Sequence, residues 1–352
     1  MIDANANILL IYTGGTIGMV ENSVTGSLEA FNFSHLNSHM PELQRLKFHV
    51  DTIVFEPVID SSDVCHKHWQ KLLRIIEDHY ETHDGFVILH GTDTMAYTAS
   101  ALSFMISNLQ KPVVLTGSQL PIGKLRTDAK ENLITAMEIA ADKDAIGNPI
   151  VPEVAIFFQN YLLRGNRATK INADNFNAFK TYNCPVLAKS GIQIKYDRNV
   201  ILKPNYDKKV QFNYPMDRDI VVLKLFPGIS RITLETILGT KGIKAVVLET
   251  YGSGNAPRYD WFIEALQEAV KRGVVIVNVT QCEIGCVEMQ RYETGRELLK
   301  AGVISGYDAT VEATITKLMY LLGNGYSREE IVVRMRVPLA GEITRPDARE
   351  IL

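Results

Sequence analysis

Ile8-Leu9-Leu10-Ile11-Tyr12-Thr13-Gly14-Gly15-Thr16-Ile17-Gly18 is an apolar run that stops abruptly in a turn of threonines and glycines. Five apolar residues without alternation predict a strand buried on both faces. The same pattern recurs along the chain. Thr52–Phe55, Phe86–Leu89, Val113–Leu115 and Val154–Phe158 are short apolar runs, and His66–Tyr80, Thr94–Asn108 and Asp128–Ala141 between them have helical period. Strands alternating with helices predict an α/β fold in which helices cover a parallel sheet.

The text changes between Gly191 and Arg218, where Lys, Asp, Asn, Tyr and Pro dominate and alternation is weak (Ile192–Ile194, Val210–Phe212). This reads as a hairpin or irregular connection. A second alternating stretch follows, with strands at Val221–Phe226, Ala245–Leu248 and Val274–Val279. Helices are expected at Arg231–Leu238, Trp261–Val270, Val311–Leu322 and Arg328–Arg336. The expected organisation is a larger N-terminal domain, residues 1–190, with a Rossmann- or flavodoxin-like parallel sheet. A connecting segment, 191–218, leads to a smaller C-terminal α/β domain, 219–352.

With 352 residues, two domains are a better expectation than one core. Hydrophobic residues make up 46% and the net charge is −3, so the chain is globular and has no field suited to neutralising phosphates. No nucleic-acid partner is expected. No window approaches the roughly 20 apolar residues of a membrane span, and the N-terminus lacks a secretory pattern. Four cysteines (Cys65, Cys184, Cys282 and Cys286) do not make a disulfide framework in a chain this long. A cytoplasmic protein is expected. The spacing of Cys282 and Cys286, and of Cys65, His66 and His68, lacks the second close pair of a zinc site. No metal or cofactor is expected.

Ligands of parallel sheets sit beyond the carboxyl ends of the strands. There the sequence places Thr13–Gly18, Asp60-Ser61-Ser62-Asp63, His90-Gly91-Thr92-Asp93-Thr94, Thr116-Gly117-Ser118-Gln119 and Arg164–Lys170. Each piece has a plain reading: a strand-to-helix turn, a helix N-cap, a solvated lysine. Together they supply hydroxyl nucleophiles, an acid and an amine at one sheet edge. Amide hydrolysis through a covalent intermediate needs such a nucleophile, a base and donors for the oxyanion. No Gly-x-Ser-x-Gly elbow or P-loop ending is present.

At these residues the sequence resembles the bacterial-type L-asparaginases, most closely their cytosolic type I branch. Tyr12–Met19 and His90–Tyr97 resemble the two threonine signatures. Thr116–Gln119, Arg164–Lys170, Tyr251–Pro257 and Val311–Thr314 extend the likeness over nearly the whole chain. The resemblance implies hydrolysis of the side-chain amide of L-asparagine, with Thr16 as the nucleophile. Thr92, Asp93 and Lys170 would be the second hydroxyl, the acid and the base. Asp93 would also hold the substrate's α-amino group, and Asp60, Ser61 and Ser62 the α-carboxylate. Amides near Gly15 and Thr92 would form the oxyanion hole, and Gln119 would line the pocket edge. Asn255 matches a residue that reaches a neighbouring subunit's site, and a homodimer or homotetramer is implied.

The sequence departs from the family in one place. Many members carry a tyrosine on the loop after the first threonine, whereas residues 20–33 here contain none. Ser27 (or Thr25) and Tyr292 are the candidate replacements. Some cytosolic members bind a second asparagine at a subunit interface, which marks Thr250, Tyr251, Thr280 and Cys282 as candidate allosteric residues. Glu249 places an acid there, which opposes a carboxylate ligand. The alternatives are a mixed glutaminase-asparaginase, an amidotransferase subunit acting on a tRNA-linked amide, and a non-catalytic amino-acid sensor.

Overall fold

The five apolar runs of the N-terminal half form the parallel part of one eight-stranded sheet in the computed structural model, which describes residues 3, 5–21, 28–30, 43 and 45–344. The parallel strands are β1 (Asn7–Tyr12), β2 (His49–Val54), β3 (Gly85–Leu89), β4 (Val113–Thr116) and β5 (Val154–Phe158). They lie in the order β2-β1-β3-β4-β5. This is the flavodoxin-like order, in which the chain reverses direction across the sheet between β1 and β3.

The sheet continues beyond its parallel part. β6 (Tyr161–Arg164) returns antiparallel to β5, and the two-residue strands Ala188–Lys189 and Lys195–Tyr196 add to that edge. A separate ribbon pairs β7 (Thr169–Lys170) with β8 (Phe179–Lys180).

Both faces of the central strands are covered, as their unbroken hydrophobicity requires. Ile8, Leu10 and Tyr12 pack in one cluster with Leu133, Ala136 and Met137 of helix α3 (Ala129–Ala141). Leu9 and Ile11 are equally buried on the opposite side, as the two-residue period of a strand dictates. Helix α1 (His66–Asp78) turns Trp69, Leu72, Leu73 and Ile76 inward at the 3–4 residue spacing of one helical face. Helix α2 (Met95–Met105) is buried nearly all round.

The chain divides into two compact units, residues 1–181 with 185–214, and residues 182–184 with 215–352. Of the two expectations for residues 191–218, a hairpin or an irregular connection, the structure shows the irregular one. Lys195–Tyr196 joins the edge of the large sheet, while Gln211–Phe212 pairs with Ile106–Ser107. Of the two stretches with weak alternation, Val210–Phe212 overlaps a strand and Ile192–Ile194 lies just before one, and neither pattern could say which distant partner a strand would find.

The second unit has its own all-parallel sheet, in the order β9 (Ile220–Lys224), β10 (Ala245–Thr250), β11 (Val275–Thr280) and β12 (Ile304–Ser305). Leu223, Val246, Leu248, Ile276, Phe262 and Leu266 belong to its core. Its helix Val311–Gly323 buries Lys317, whose Nζ lies 2.5 Å from Glu342 Oε1 and 2.8 Å from Val337 O. No helix of the described residues is long and apolar enough to cross a membrane.

Candidate active site

The loops after β1, β2 and β3 meet backbone to backbone at the point where the strand order reverses. Gly15 has φ 89 and ψ 171, a conformation open essentially only to glycine. A Cβ there would lie 2.6 Å from Gly91 Cα, and a Cβ on Gly91 would lie 2.5 Å from Ser61 Oγ. Side-chain-free approach therefore brings residues 13–16, 60–63 and 90–93 together. Thr16 opens the 3-10 turn Thr16–Gly18 directly after Gly15, and Thr92 opens the turn Thr92–Thr94 directly after Gly91.

Lys170 arrives from the β7–β8 ribbon. Its Nζ lies 2.8 Å from Thr92 Oγ1 and 2.6 Å from Asp93 Oδ1. The lysine side chain is 19% exposed and the Asp93 side chain 63%. Gln119, on the turn after β4, accepts from Thr92 Oγ1 at 3.4 Å and donates through Nε2 to Asn175 O at 3.0 Å. An unbroken polar line thus runs Asp93–Lys170–Thr92–Gln119, joining three separate strand ends.

Asp60 caps the 3-10 turn Ser61–Asp63. Its Oδ1 accepts from both the backbone N and the Oγ of Ser62, each at 2.8 Å. These two bonds, backbone first, hold the Asp60 carboxyl below its usual range. One of its carboxylate oxygens is therefore committed inside its own turn. Ser61 is buried against Gly91, and its carbonyl accepts from Thr94 Oγ1 at 2.7 Å, tying the second loop to the third.

Beneath the loops lies a polar chain that sequence reading did not single out as functional. Trp69 Nε1 donates to Thr98 Oγ1 at 3.0 Å, Thr98 and His90 Nε2 are 2.9 Å apart, and His90 Nδ1 is 2.7 Å from Gly91 O. A carbonyl only accepts, so Nδ1 carries the proton and Thr98 donates to Nε2. Burial pushes the His90 pKa down to about 4, so the ring is neutral at neutral pH. The pairing of Trp69, Thr98 and His90 had no local signature, because Thr98 lies one turn inside a helix and Trp69 in another.

The remaining candidates are placed as follows. Ser27 and Thr25 lie outside the described residues. Thr250 is fully buried and donates to Asn278 Oδ1 at 2.7 Å, so its hydroxyl is committed inside the second core. Thr280 Oγ1 donates to Gly252 O at 2.5 Å and accepts from the backbone N of Cys282, while the Cys282 side chain is exposed. Tyr251 and Asn255 bracket a tight turn, and Asn255 Oδ1 accepts from Thr294 Oγ1 at 2.7 Å. Tyr292 precedes the helix Glu293–Lys300, is 45% exposed and stacks with Arg291. Among the described residues, no group of three or more His, Cys, Asp and Glu side chains is placed to hold a metal ion.

Comparison with known proteins bears on the family and the fold. The model of the asparaginase N-terminal domain matches residues 7–202, and that of the glutaminase/asparaginase C-terminal domain matches residues 219–335. L-asparaginase 1 of Escherichia coli (strain K12) is 44% identical over 346 residues, covering 97% of this chain and 99% of that protein. The 60 kDa lysophospholipase of Mus musculus is 39% identical over 361 residues, covering 96% of this chain and 63% of that protein. The crystal structure of L-asparaginase I from Vibrio cholerae matches with a TM-score of 0.88 at 42% identity, over 97% of this chain and 99% of that one. Two matched domain models, full-length relatives and a shared two-sheet architecture agree: the chain belongs to the asparaginase family.

Proposed function

We propose that this protein hydrolyses the side-chain amide of L-asparagine to L-aspartate and ammonia through an acyl intermediate on Thr16. The observation that carries the reading is Lys170 Nζ within hydrogen-bond distance of both Thr92 and Asp93, on loops packed against the one that bears Thr16. The relatives named L-asparaginase support the choice of substrate.

In the first half-reaction Thr16 Oγ attacks the amide carbon and loses its proton. Lys170 serves as the base of the group, and the proton it takes is passed on to the departing nitrogen, which leaves as ammonia. Backbone N–H groups near Gly15 and Thr92 stabilise the oxyanion. In the second half, water held by Thr92 attacks the ester, releasing aspartate and restoring the Thr16 hydroxyl. Asp93, anionic and exposed, receives the substrate's α-ammonium. In the Asp60–Ser62 turn, Ser61 faces the α-carboxylate, while Ser62, whose backbone N and Oγ both donate to Asp60, holds the Asp60 charge within the turn. Gln119 closes the pocket edge.

The family resemblance extends the reading to a cytoplasmic homodimer or homotetramer whose Asn255 contributes to a neighbouring subunit's site. Ser27 and Tyr292 stand as lid or helper groups. Thr250, Tyr251, Thr280 and Cys282 mark the region of a second, regulatory asparagine.

The test is ammonia release from asparagine and from glutamine by wild type, Thr16→Ala and Thr92→Val. Asparagine turnover by wild type, weaker glutamine turnover and its loss in folded variants support the proposal. Asparagine binding without ammonia release by wild type would point to a sensor instead.

A further inference from the structure

We infer that Asp128 is a positioning residue for this reaction: it holds the backbone of Gln119, which keeps the Gln119 amide against Thr92 and so sets the direction of the Thr92 hydroxyl. The inference rests on the function proposed above and adds a residue that sequence reading treated only as the start of a helix.

Asp128 occupies the N-cap of α3, where an aspartate ordinarily accepts from its own helix. Here its side chain makes no cap bond. That task falls to Thr127, whose Oγ1 accepts from Ala129 N at 3.0 Å. The Asp128 carboxylate instead reaches back across the turn. Its two oxygens accept from Gln119 N at 3.1 and 3.0 Å, and Oδ1 also accepts from Leu120 N at 3.2 Å. A third donor, Asn132 Nδ2, lies 3.3 Å from Oδ2. Asn132 is itself buried, donates to Gly117 O at 2.9 Å and accepts from Gln159 N at 2.8 Å. The turn that carries Gln119 is thereby fastened to the ends of both β4 and β5.

The consequence is felt at Thr92. Because Gln119 Nε2 is committed to Asn175 O, the oxygen of the same amide faces Thr92. A carbonyl only accepts, so Thr92 sends its proton toward Gln119 and presents a lone pair to Lys170 Nζ, which donates to it. The 3.4 Å separation from Gln119 is long, as is common in catalytic sites that tighten around substrate. Without the Asp128 anchor the turn shifts and the hydroxyl rotates freely. Misplacement of a reacting group by about 1 Å costs up to about 10²-fold in rate.

The experiment is a double-mutant cycle on the full-length protein, with Asp128→Asn and Gln119→Leu, read as kcat and KM for asparagine. Asp128→Asn is nearly isosteric but turns an N–H group against N–H donors. Each single variant is expected to lower kcat by roughly tenfold or more with a smaller change in KM. The double variant should be no slower than Gln119→Leu, because Asp128 acts through Gln119. Losses that multiply, or a Gln119→Leu variant with unchanged kcat, overturn the inference while wild-type turnover leaves the proposed function standing. Absence of ammonia release by wild type overturns both. If Asp128→Asn does not fold, Asp128→Ser keeps a helix-capping side chain and enters the same cycle with the same two outcomes.

Discussion

Lys170 Nζ and Asp93 Oδ1 stand 2.6 Å apart although 77 residues separate them in the chain. The pair joins an antiparallel ribbon at one side of the large sheet to the turn at the end of β3. It also holds the lysine against Thr92, so one contact positions both the amine and the hydroxyl it serves.

Replacing Lys170 should therefore separate activity from stability. Lys170→Met is expected to lower kcat for asparagine by about 10²–10⁴-fold, the range for loss of a general base. The unfolding free energy should change by no more than about 1 kcal/mol, because the Asp93 partner is 63% exposed and solvent screens the pair. Steady-state kinetics beside urea unfolding checks both. Near-normal turnover in the folded variant would remove Lys170 from the mechanism.

Gly15→Ala should damage the site and the fold together. The added Cβ meets Gly91 backbone at 2.6 Å, and alanine resists the backbone angles found there. Strain and overpacking together are expected to cost about 2–4 kcal/mol. Because Thr16 follows Gly15, activity should fall further than the folded fraction explains. Active-site loss measured on the folded fraction, after correction by circular dichroism, is the readout.

His90 gives a pH dependence of defined sign. Burial lowers its folded pKa to about 4, whereas an unperturbed histidine titrates near 6.5. Between those values the unfolded chain binds a proton that the folded protein does not. Stability should therefore fall as pH drops from about 6.5 to about 4, by about 3 kcal/mol in all, and this contribution should level off below pH 4. His90→Gln removes the titration, so its stability should decline less than wild type over the same interval. Parallel slopes for the two proteins in denaturant melts at pH 7 and 4.5 would contradict the assignment.

The buried pair Lys317–Glu342 should be far more sensitive to losing one partner than both. Each side chain is at most 2% exposed, and the Glu342 carboxylate also accepts from the backbone of Leu339 and Ala340. Lys317→Met leaves that carboxylate buried without its cation and is expected to destabilise the second unit by about 3–5 kcal/mol. Lys317→Met combined with Glu342→Gln should recover part of the loss. Equilibrium unfolding of the three proteins measures the difference.

The sequence by itself determined the parts whose cause is local. The apolar run Ile8–Tyr12 could only be a strand covered on both sides, and the helices at 66–78, 95–105 and 129–141 follow from apolar spacing and flanking turn residues. Collecting the residues after each run also drew Thr16, Thr92 and Asp93 into one group, since parallel strands end at one edge, whereas Lys170 reaches them from the β7–β8 ribbon that follows the antiparallel β6. Tertiary structure alone decided which ends meet. The order β2-β1-β3-β4-β5 places the Thr16 and Thr92 loops side by side, and their contact depends on two glycines approaching without side chains. The same holds for Gln211–Phe212, which pairs with a segment more than 100 residues earlier, and for Asp128, which resembles an ordinary helix cap in sequence. A carboxylate at that position can bond to its own helix or to a neighbouring turn. The choice falls to whichever donors the packed sheet brings within 3 Å, and no local pattern encodes that distance.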